Sequence, residues 1–376
     1  MNNPSIKQLN FRLIFLVLTL NIIGVMIIRS ASGGLGERVT REIAGICAGV
    51  VVMGMIAAFP YRRLCDLSVL IYLVCLALLV LVLVLGWSRG VARRWVELPV
   101  LGRVQPSEFV KVGLIIVFAE LLGSRAARIN DVETVAAAFA VAVLPLGLVI
   151  AEPDLSTTII MAVTIVAMVF AAGISFRWIG GVLAVIIPAG LAFLVLLRNR
   201  MVPFIQDYQV NRILAFFNRE VYSDANRQQN NSIMAIASGQ LRGKGLNNDA
   251  LTSVKNGNFL SEEETDFIFA VIGEELGFIG CVIVILLFAL IVYECLYIAY
   301  KAPDIQGKLI CSGVAVLIGF QSFTNIAVTT GIFPNTGLPL PFISYGLTSL
   351  ISMYIGIGLV LSVGLRRETD NHRRFL

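Results

Sequence analysis

Asp266 is the last acid before a long apolar run, in the stretch Glu262-Glu-Glu-Thr-Asp-Phe-Ile-Phe-Ala-Val-Ile-Gly-Glu-Glu-Leu-Gly277. A carboxylate where water gives way to an apolar environment is partly desolvated, which raises its proton affinity and suits it to act as a base. Glu274 and Glu275 follow two turns further in and are read as structural. Cations gather on other segments: Arg93 and Arg94 beside Trp95, and Arg242 and Lys244 within the glycine-rich Ser238-Gly-Gln-Leu-Arg-Gly-Lys-Gly245. Glycines let backbone N–H groups approach an anion, and interleaved cations add charge, as in phosphate-binding loops; a glycine turn on a wet surface would look the same. A base and an outer surplus of cations together fit chemistry on an anionic ligand.

Three further segments carry polar groups next to apolar runs. Val104-Gln-Pro-Ser-Glu-Phe-Val-Lys111 opens a helix, with Pro106 in the first turn and Gln105 or Ser107 as its cap. Glu108 and Lys111 are three apart and share one face, so they pair at the mouth of an apolar stretch where a lone charge is costly. The pair reads as a clamp first and a substrate contact second. Glu152-Pro-Asp-Leu-Ser-Thr157 is a short acidic turn in which Asp154 serves as a helix cap or a ligand contact. Gly331-Ile-Phe-Pro-Asn-Thr-Gly-Leu-Pro-Leu-Pro-Phe-Ile-Ser-Tyr-Gly346 has too many prolines for a regular helix. Irregular backbone at membrane depth must be buried in protein or line a wet cavity, so this segment packs into a cavity near the surface.

The elements that must position these groups are membrane helices. Apolar residues make up 57% of the 376-residue chain, charged residues only 14%, and the mean hydropathy is +0.86. Stretches long enough to span a bilayer, or nearly so, begin near Phe11, Ile43, Leu67, Phe109, Thr134, Ser156, Trp178, Phe278, Leu309 and Ser344. The expectation is an all-α polytopic membrane protein of about ten helices, forming a single domain over residues 1–376. A large extracytoplasmic loop, 198–265, joins helices 7 and 8, and a charged cytoplasmic tail covers 366–376. The first stretch resembles a signal peptide but is read as a retained helix. Within the loop, the spacing of Val210, Ile213, Leu214, Phe217 and Val221 predicts a helix lying on the bilayer surface. With the N-terminus inside, cytoplasmic segments hold thirteen basic residues and short outer loops seven, as the positive-inside rule prefers. Eight more cations in the long loop point to an anionic ligand outside, or to a solvated loop balanced by Asp207, Glu220, Asp224, Asp249 and Glu262 to Glu264.

Other chemistries are excluded or disfavoured. The sole histidine, His372, lies in the terminal tail, which removes histidine catalysis and histidine-ligated zinc. The six cysteines all sit in or beside apolar stretches, so they read as small core residues without an outside disulfide. Membrane lipids are expected partners and nucleic acid is not.

In order along the chain, Arg93-Arg-Trp95, Gln105-Pro-Ser-Glu108 with Lys111, Pro153-Asp-Leu155, Gly243-Lys-Gly245, Thr265-Asp-Phe267, Gly273-Glu-Glu-Leu-Gly277, Thr336-Gly-Leu-Pro-Leu-Pro-Phe342 and Ser344-Tyr-Gly346 closely resemble the SEDS family of RodA, FtsW and SpoVE. The resemblance implies a peptidoglycan glycosyltransferase of the bacterial cytoplasmic membrane. Such an enzyme polymerises lipid II on the outer face into a growing glycan strand, together with a class B penicillin-binding protein and other elongation or division proteins. It places the catalytic aspartate on Asp266 and the paired acid and lysine on Glu108 and Lys111. Candidate substrate contacts are Arg93, Arg94, Gln105, Ser107, Glu108, Lys111, Asp154, Arg242, Lys244 and Ser344; a divalent cation, Mg2+ or Mn2+, is a candidate cofactor. The chain departs from the family at Glu152, where a glutamine is common, at Asn231-Ser232, and at Leu347-Thr-Ser349; its looser ending is more RodA-like. Rival readings are a transporter of lipid II and a scaffold without catalysis.

Overall fold

The computed structural model describes residues 9–32, 36–89, 92–98, 102–178, 223–246 and 264–373, together with positions 180, 181, 184, 188, 190, 192 and 210. The expected surface helix over 210–221 and the span beginning near Trp178 fall largely outside these residues.

Helices dominate. They are α1 (Phe11–Ala31), α2 (Glu37–Ala58), the short α3 (Tyr61–Asp66), α4 (Ser68–Leu85), α5 (Pro106–Gly123), α6 (Val132–Ala151), α7 (Leu155–Ala171), α8 (Ser223–Ser238), α9 (Ile268–Tyr300), α10 (Ile305–Thr329) and α11 (Leu347–Arg373). Among the described residues seven of these are long and apolar enough to cross a membrane, and α7 and the more charged α5 come close. With the stretch at Trp178, this accords with the expected count of about ten. The chain is a multi-pass membrane protein.

Burial sorts the spans into layers. In α10 and α11, 67% and 72% of the most apolar window is buried, against 22% in α4. The first two form the protein's interior, whereas α4 turns Val69, Leu70, Leu73 and Val84 outward, as a lipid-facing helix must. The closest pairings are α11 along α2 and α9 along α10. Five of the six cysteines are buried; Cys47 is exposed on α2, and all six are free thiols.

One element departs from an all-helical expectation. Between α4 and α5 the chain forms a three-stranded antiparallel sheet, β1 (Trp87–Arg89), β2 (Ala92–Leu98) and β3 (Gly102–Val104), in the order β1-β2-β3. No strand was expected of the residues here. Their backbone instead satisfies its own hydrogen bonds by pairing, and Glu97 stands opposite Arg103 with the two side chains 3.0 Å apart.

A second departure lies in α9, which has 33 residues, more than a bilayer needs. Gly277 breaks it with φ of 68° and ψ of −165°, a conformation that glycine alone adopts without strain. A buried half-helix therefore precedes the true span, which starts at Phe278 as the apolar pattern indicates. The groups orphaned by the break are met by the loop after α8. Lys244 N and Gly245 N donate to the carbonyls of Glu274 and Glu275 (2.9 and 3.0 Å), and Phe278 N and Ile279 N donate to those of Gln240 and Leu241 (2.8 and 3.2 Å).

Candidate active site

The segment from Gly331 to Gly346 is irregular, as its prolines require, and forms a strap between α10 and α11 whose later residues are mostly buried. Because no helix satisfies its backbone, side chains from neighbouring elements do so, and these ties assemble the site. Asp266 lies in the turn Glu264–Phe267 just before α9. Three consecutive carbonyls of that turn are held: Glu264 O by Tyr345 N (2.9 Å), Thr265 O by the Ser344 hydroxyl (2.6 Å), and Asp266 O by the Asn325 amide (2.9 Å). Ser344 Oγ also accepts from Leu340 N (2.8 Å), and Asn325 Nδ2 donates again to Leu338 O (2.7 Å). The backbone of Asp266 is thus fixed against the strap while the residue remains partly exposed. It is not the helix cap: Phe267 occupies that position, without a capping side chain. An Arg38–Glu264 ion pair at 2.6 Å steadies the turn from α2.

The same strap reaches two further clusters. Ser156 Oγ donates to Thr336 O (2.6 Å), which joins the acidic turn before α7 to the strap. In that turn Asp154 caps α7, accepting from Thr157 N (3.1 Å) and from the Thr157 hydroxyl (2.9 Å). It also accepts from Gln105 Nε2 (3.1 Å) and faces Arg94, 3.7 Å away. Arg94 donates to the carbonyls of Glu152 (3.4 Å) and Pro153. Gln105 sits at the N-cap position of α5 but does not cap it; neither it nor Ser107 plays that expected role, because the Gln105 amide bridges Asp154 and Ser107 (3.2 Å). Glu152 is 1% exposed, and its carboxyl oxygens have no hydrogen-bond partner. Burial, with Asp154 adding to it and Arg94 opposing, pushes its pKa up to about 8, so it is largely a neutral acid at pH 7.

The third cluster is the expected pair. Lys111 Nζ donates to Glu108 Oε1 and to Gln321 Oε1, each at 2.8 Å, and Gln321 Nε2 donates to Pro339 O of the strap (3.0 Å). Ser352 on α11 approaches the other Glu108 oxygen at 3.4 Å. Both charged side chains are almost completely buried.

Arg94, Gln105, Ser107 and Asp154 therefore come together, Glu108 pairs with Lys111, Ser344 binds the Asp266 turn, and the strap joins all three groups. Arg242 and Lys244 stand apart, at the far end of the half-helix from Asp266, about 12 Å along it at 1.5 Å per residue. The backbone N–H groups of Gly243, Lys244 and Gly245 donate to protein carbonyls, so this loop does not cradle a phosphate with its backbone as its glycines suggested. A side chain added at Gly243 would overlap the Glu275 carbonyl; the glycines serve the helix break. Lys244 pairs with Glu274 (2.6 Å) and Ser30 with Glu275, in keeping with structural glutamates. Arg93 lies in β2 opposite Ser88, and its side chain is outside the described residues. Among the described residues no three histidine, cysteine or acidic side chains cluster as metal ligands. Sequence reading missed Gln321 and Asn325, although two amides four residues apart in an apolar helix are a usable signal of a shared polar face.

A multi-pass membrane protein with a partly exposed aspartate, in a turn whose backbone is pinned to a largely buried strap, is the class that fold and site define. A family model described as "Cell cycle protein", covering FtsW, RodA and SpoVE, matches residues 11–369, and the chain belongs to that family. Its relatives include the peptidoglycan glycosyltransferase MrdB of Escherichia coli K12, 33% identical over 98% of each chain. A probable peptidoglycan glycosyltransferase FtsW of Geobacter metallireducens is 32% identical, again over 98% of each. Among solved structures, the rod shape determining protein RodA of Thermus thermophilus superposes with a TM-score of 0.70 at 27% identity, covering 96% of this chain and 97% of that one. A chain from work on the structural coordination of polymerization and crosslinking by a peptidoglycan synthase complex reaches 0.79 at 27% identity, covering 96% and 99%.

Proposed function

We propose that this chain, a peptidoglycan glycosyltransferase of the FtsW/RodA/SpoVE family, polymerises lipid II at the outer face of the bacterial cytoplasmic membrane, with Asp266 as general base. The observation that carries the reading is the pinning of three successive carbonyls, at Glu264, Thr265 and Asp266, beside a carboxylate that stays partly open. In the reaction an acceptor sugar hydroxyl attacks the anomeric carbon, and the bond from that carbon to the pyrophosphate oxygen breaks with inversion. The hydroxyl proton passes to Asp266, and the polyprenyl pyrophosphate leaves as an anion that needs no acid. Base assistance of this kind is worth about 10²–10⁴ in rate.

Arg93 and Arg94 are the candidate cations for the leaving group, with Gln105, Ser107, Asp154 and Ser344 shaping the site; Arg242 and Lys244, which stand apart from Asp266, are candidate contacts to a more distant part of the substrate. A divalent cation, Mg2+ or Mn2+, is also proposed; Mg2+ keeps several waters and takes substrate phosphate oxygens, so one or two carboxylates suffice to hold it. The basic residues favour cytoplasmic N- and C-termini, which puts Asp266 outside. A class B penicillin-binding protein is the proposed partner, in line with the crosslinking complex among the structural relatives, and elongation is the proposed setting. Purified Asp266→Asn protein, incubated with lipid II with and without Mg2+ and resolved on a glycan gel, should make no polymer while folding normally. Polymer at the wild-type rate would remove Asp266 as the base.

A further inference from the structure

Asn325 is 1% exposed near the C-terminal end of α10, and its Nδ2 ties both the Asp266 turn and the strap to a spanning helix. Both of its N–H groups point at carbonyls, Asp266 O at 2.9 Å and Leu338 O at 2.7 Å, while its own Oδ1 is buried without a partner. The opposite orientation of the amide would set that oxygen against two carbonyl oxygens, so the chemistry fixes the side chain as a double donor. Leaving Oδ1 unsatisfied costs about 1–3 kcal/mol, a cost that packing alone would remove by using an apolar residue here. Ser344 and Tyr345 hold the neighbouring carbonyls from the strap itself, so they move with it. Asn325 refers both pieces to a helix at the core of the protein.

We propose that Asn325 is a positioning residue: its amide sets the Asp266 turn in register with the strap, so that the carboxylate meets the acceptor hydroxyl in reactive geometry. This rests on the reading of Asp266 as the base. A displacement of about 1 Å in a reacting group can cost on the order of 10²-fold in rate. Loss of the amide should therefore act on turnover and spare substrate affinity.

The test uses full-length protein carrying Asn325→Ala, Asn325→Asp, which keeps the shape and removes a donor group, or Asn325→Ser, which keeps a single shorter donor. Lipid II polymerisation is measured per folded molecule, with Asp266→Asn as control. Alanine and aspartate variants should lose at least 10-fold in kcat with KM within about twofold of wild type, and serine should fall between. A folded Asn325→Ala protein with kcat within twofold of wild type overturns the proposal, as does a rise in KM at unchanged kcat. Failure of all three variants to fold would assign the amide to structure alone and overturn it too. An active Asp266→Asn control is a separate result, which removes the base and leaves the effect of Asn325 to be read on its own.

Discussion

The buried Glu108–Lys111 pair gives the sharpest energetic prediction. Lys111→Met keeps length and apolar packing but removes the charge, and the side chains involved are only 1% and 4% exposed. Two groups lose a donor at 2.8 Å: Glu108 Oε1 and Gln321 Oε1. What remains for Glu108 is Ser352 at 3.4 Å, too long to compensate a charge. Breaking a buried pair from one side typically costs about 3–5 kcal/mol, whereas replacing both partners with neutral groups is often close to neutral. Lys111→Met should thus destabilise by about 3–5 kcal/mol, and Glu108→Gln/Lys111→Met should recover at least half of the loss. Denaturant titration in mixed micelles, run as a double-mutant cycle, measures both. A single variant within 1 kcal/mol of wild type, or a double variant no more stable than the single, would refute the clamp. Activity separates the two roles considered for the pair: a clamp lets the stable double variant polymerise, whereas a substrate ligand makes it inactive at recovered stability.

Glu152 predicts a pH dependence. Burial pushes its carboxyl from the ordinary 4.5 up to about 8, so its contribution to stability is fully present below about pH 4.5 and is lost as pH rises through about 8. The loss is on the order of 5 kcal/mol at 1.36 kcal/mol per pH unit; Glu152→Gln should flatten the fall of the melting temperature between pH 5 and 8.5, and an unchanged slope would contradict the assignment. Gly243→Ala should lower the yield of folded protein severely, since the new methyl meets the Glu275 carbonyl at a φ of 77°; normal yield and melting temperature in detergent would show that the α9 break is not held this way. Ser344→Ala should reduce polymerisation by about 10-fold or less, because two neighbouring ties on the Asp266 turn remain; glycan gels with purified protein would detect a complete loss that this reasoning does not allow.

Much of this architecture was legible because lipid demands it. A run of about 20 apolar residues has one cheap solution in a bilayer, so the starts of α1, α4 and α7 were read to within a residue. The start of the true span after Gly277 was legible for the same reason, since the apolar run resumes at Phe278. The sheet over residues 87–104 was not, because its short strands mix charge with aromatic and β-branched residues and carry no clear alternation. The glycines at 243 and 245 were left open between a phosphate cradle and a surface turn because their freedom of φ is common to both uses. Only the partners of the loop's N–H groups distinguish an anion from the end of a helix, and for Lys244 and Gly245 those partners are 30 residues away, at Glu274 and Glu275. Asp154 illustrates the opposite outcome: of the cap and the ligand contact weighed for it, the cap is observed, and the same carboxylate also takes the Gln105 amide.

The least predictable part, the strap, is also the part whose physics determines the site. A spanning helix satisfies its own backbone and asks nothing of its neighbours, but irregular backbone among helices must take donors from side chains. Each such donor is a distance constraint. Asn325 and Gln321 on α10, four residues apart, serve Leu338 and Pro339; Ser156 on α7 serves Thr336; Gln229 on α8 serves Phe333 at 2.7 Å. Three separate helices therefore specify where the strap lies, and the strap in turn specifies Asp266 through Ser344 and Tyr345. The groups that make an irregular segment tolerable among these helices are the same groups that locate the carboxylate, so a change in any of them is felt at Asp266 before it is felt by the helices.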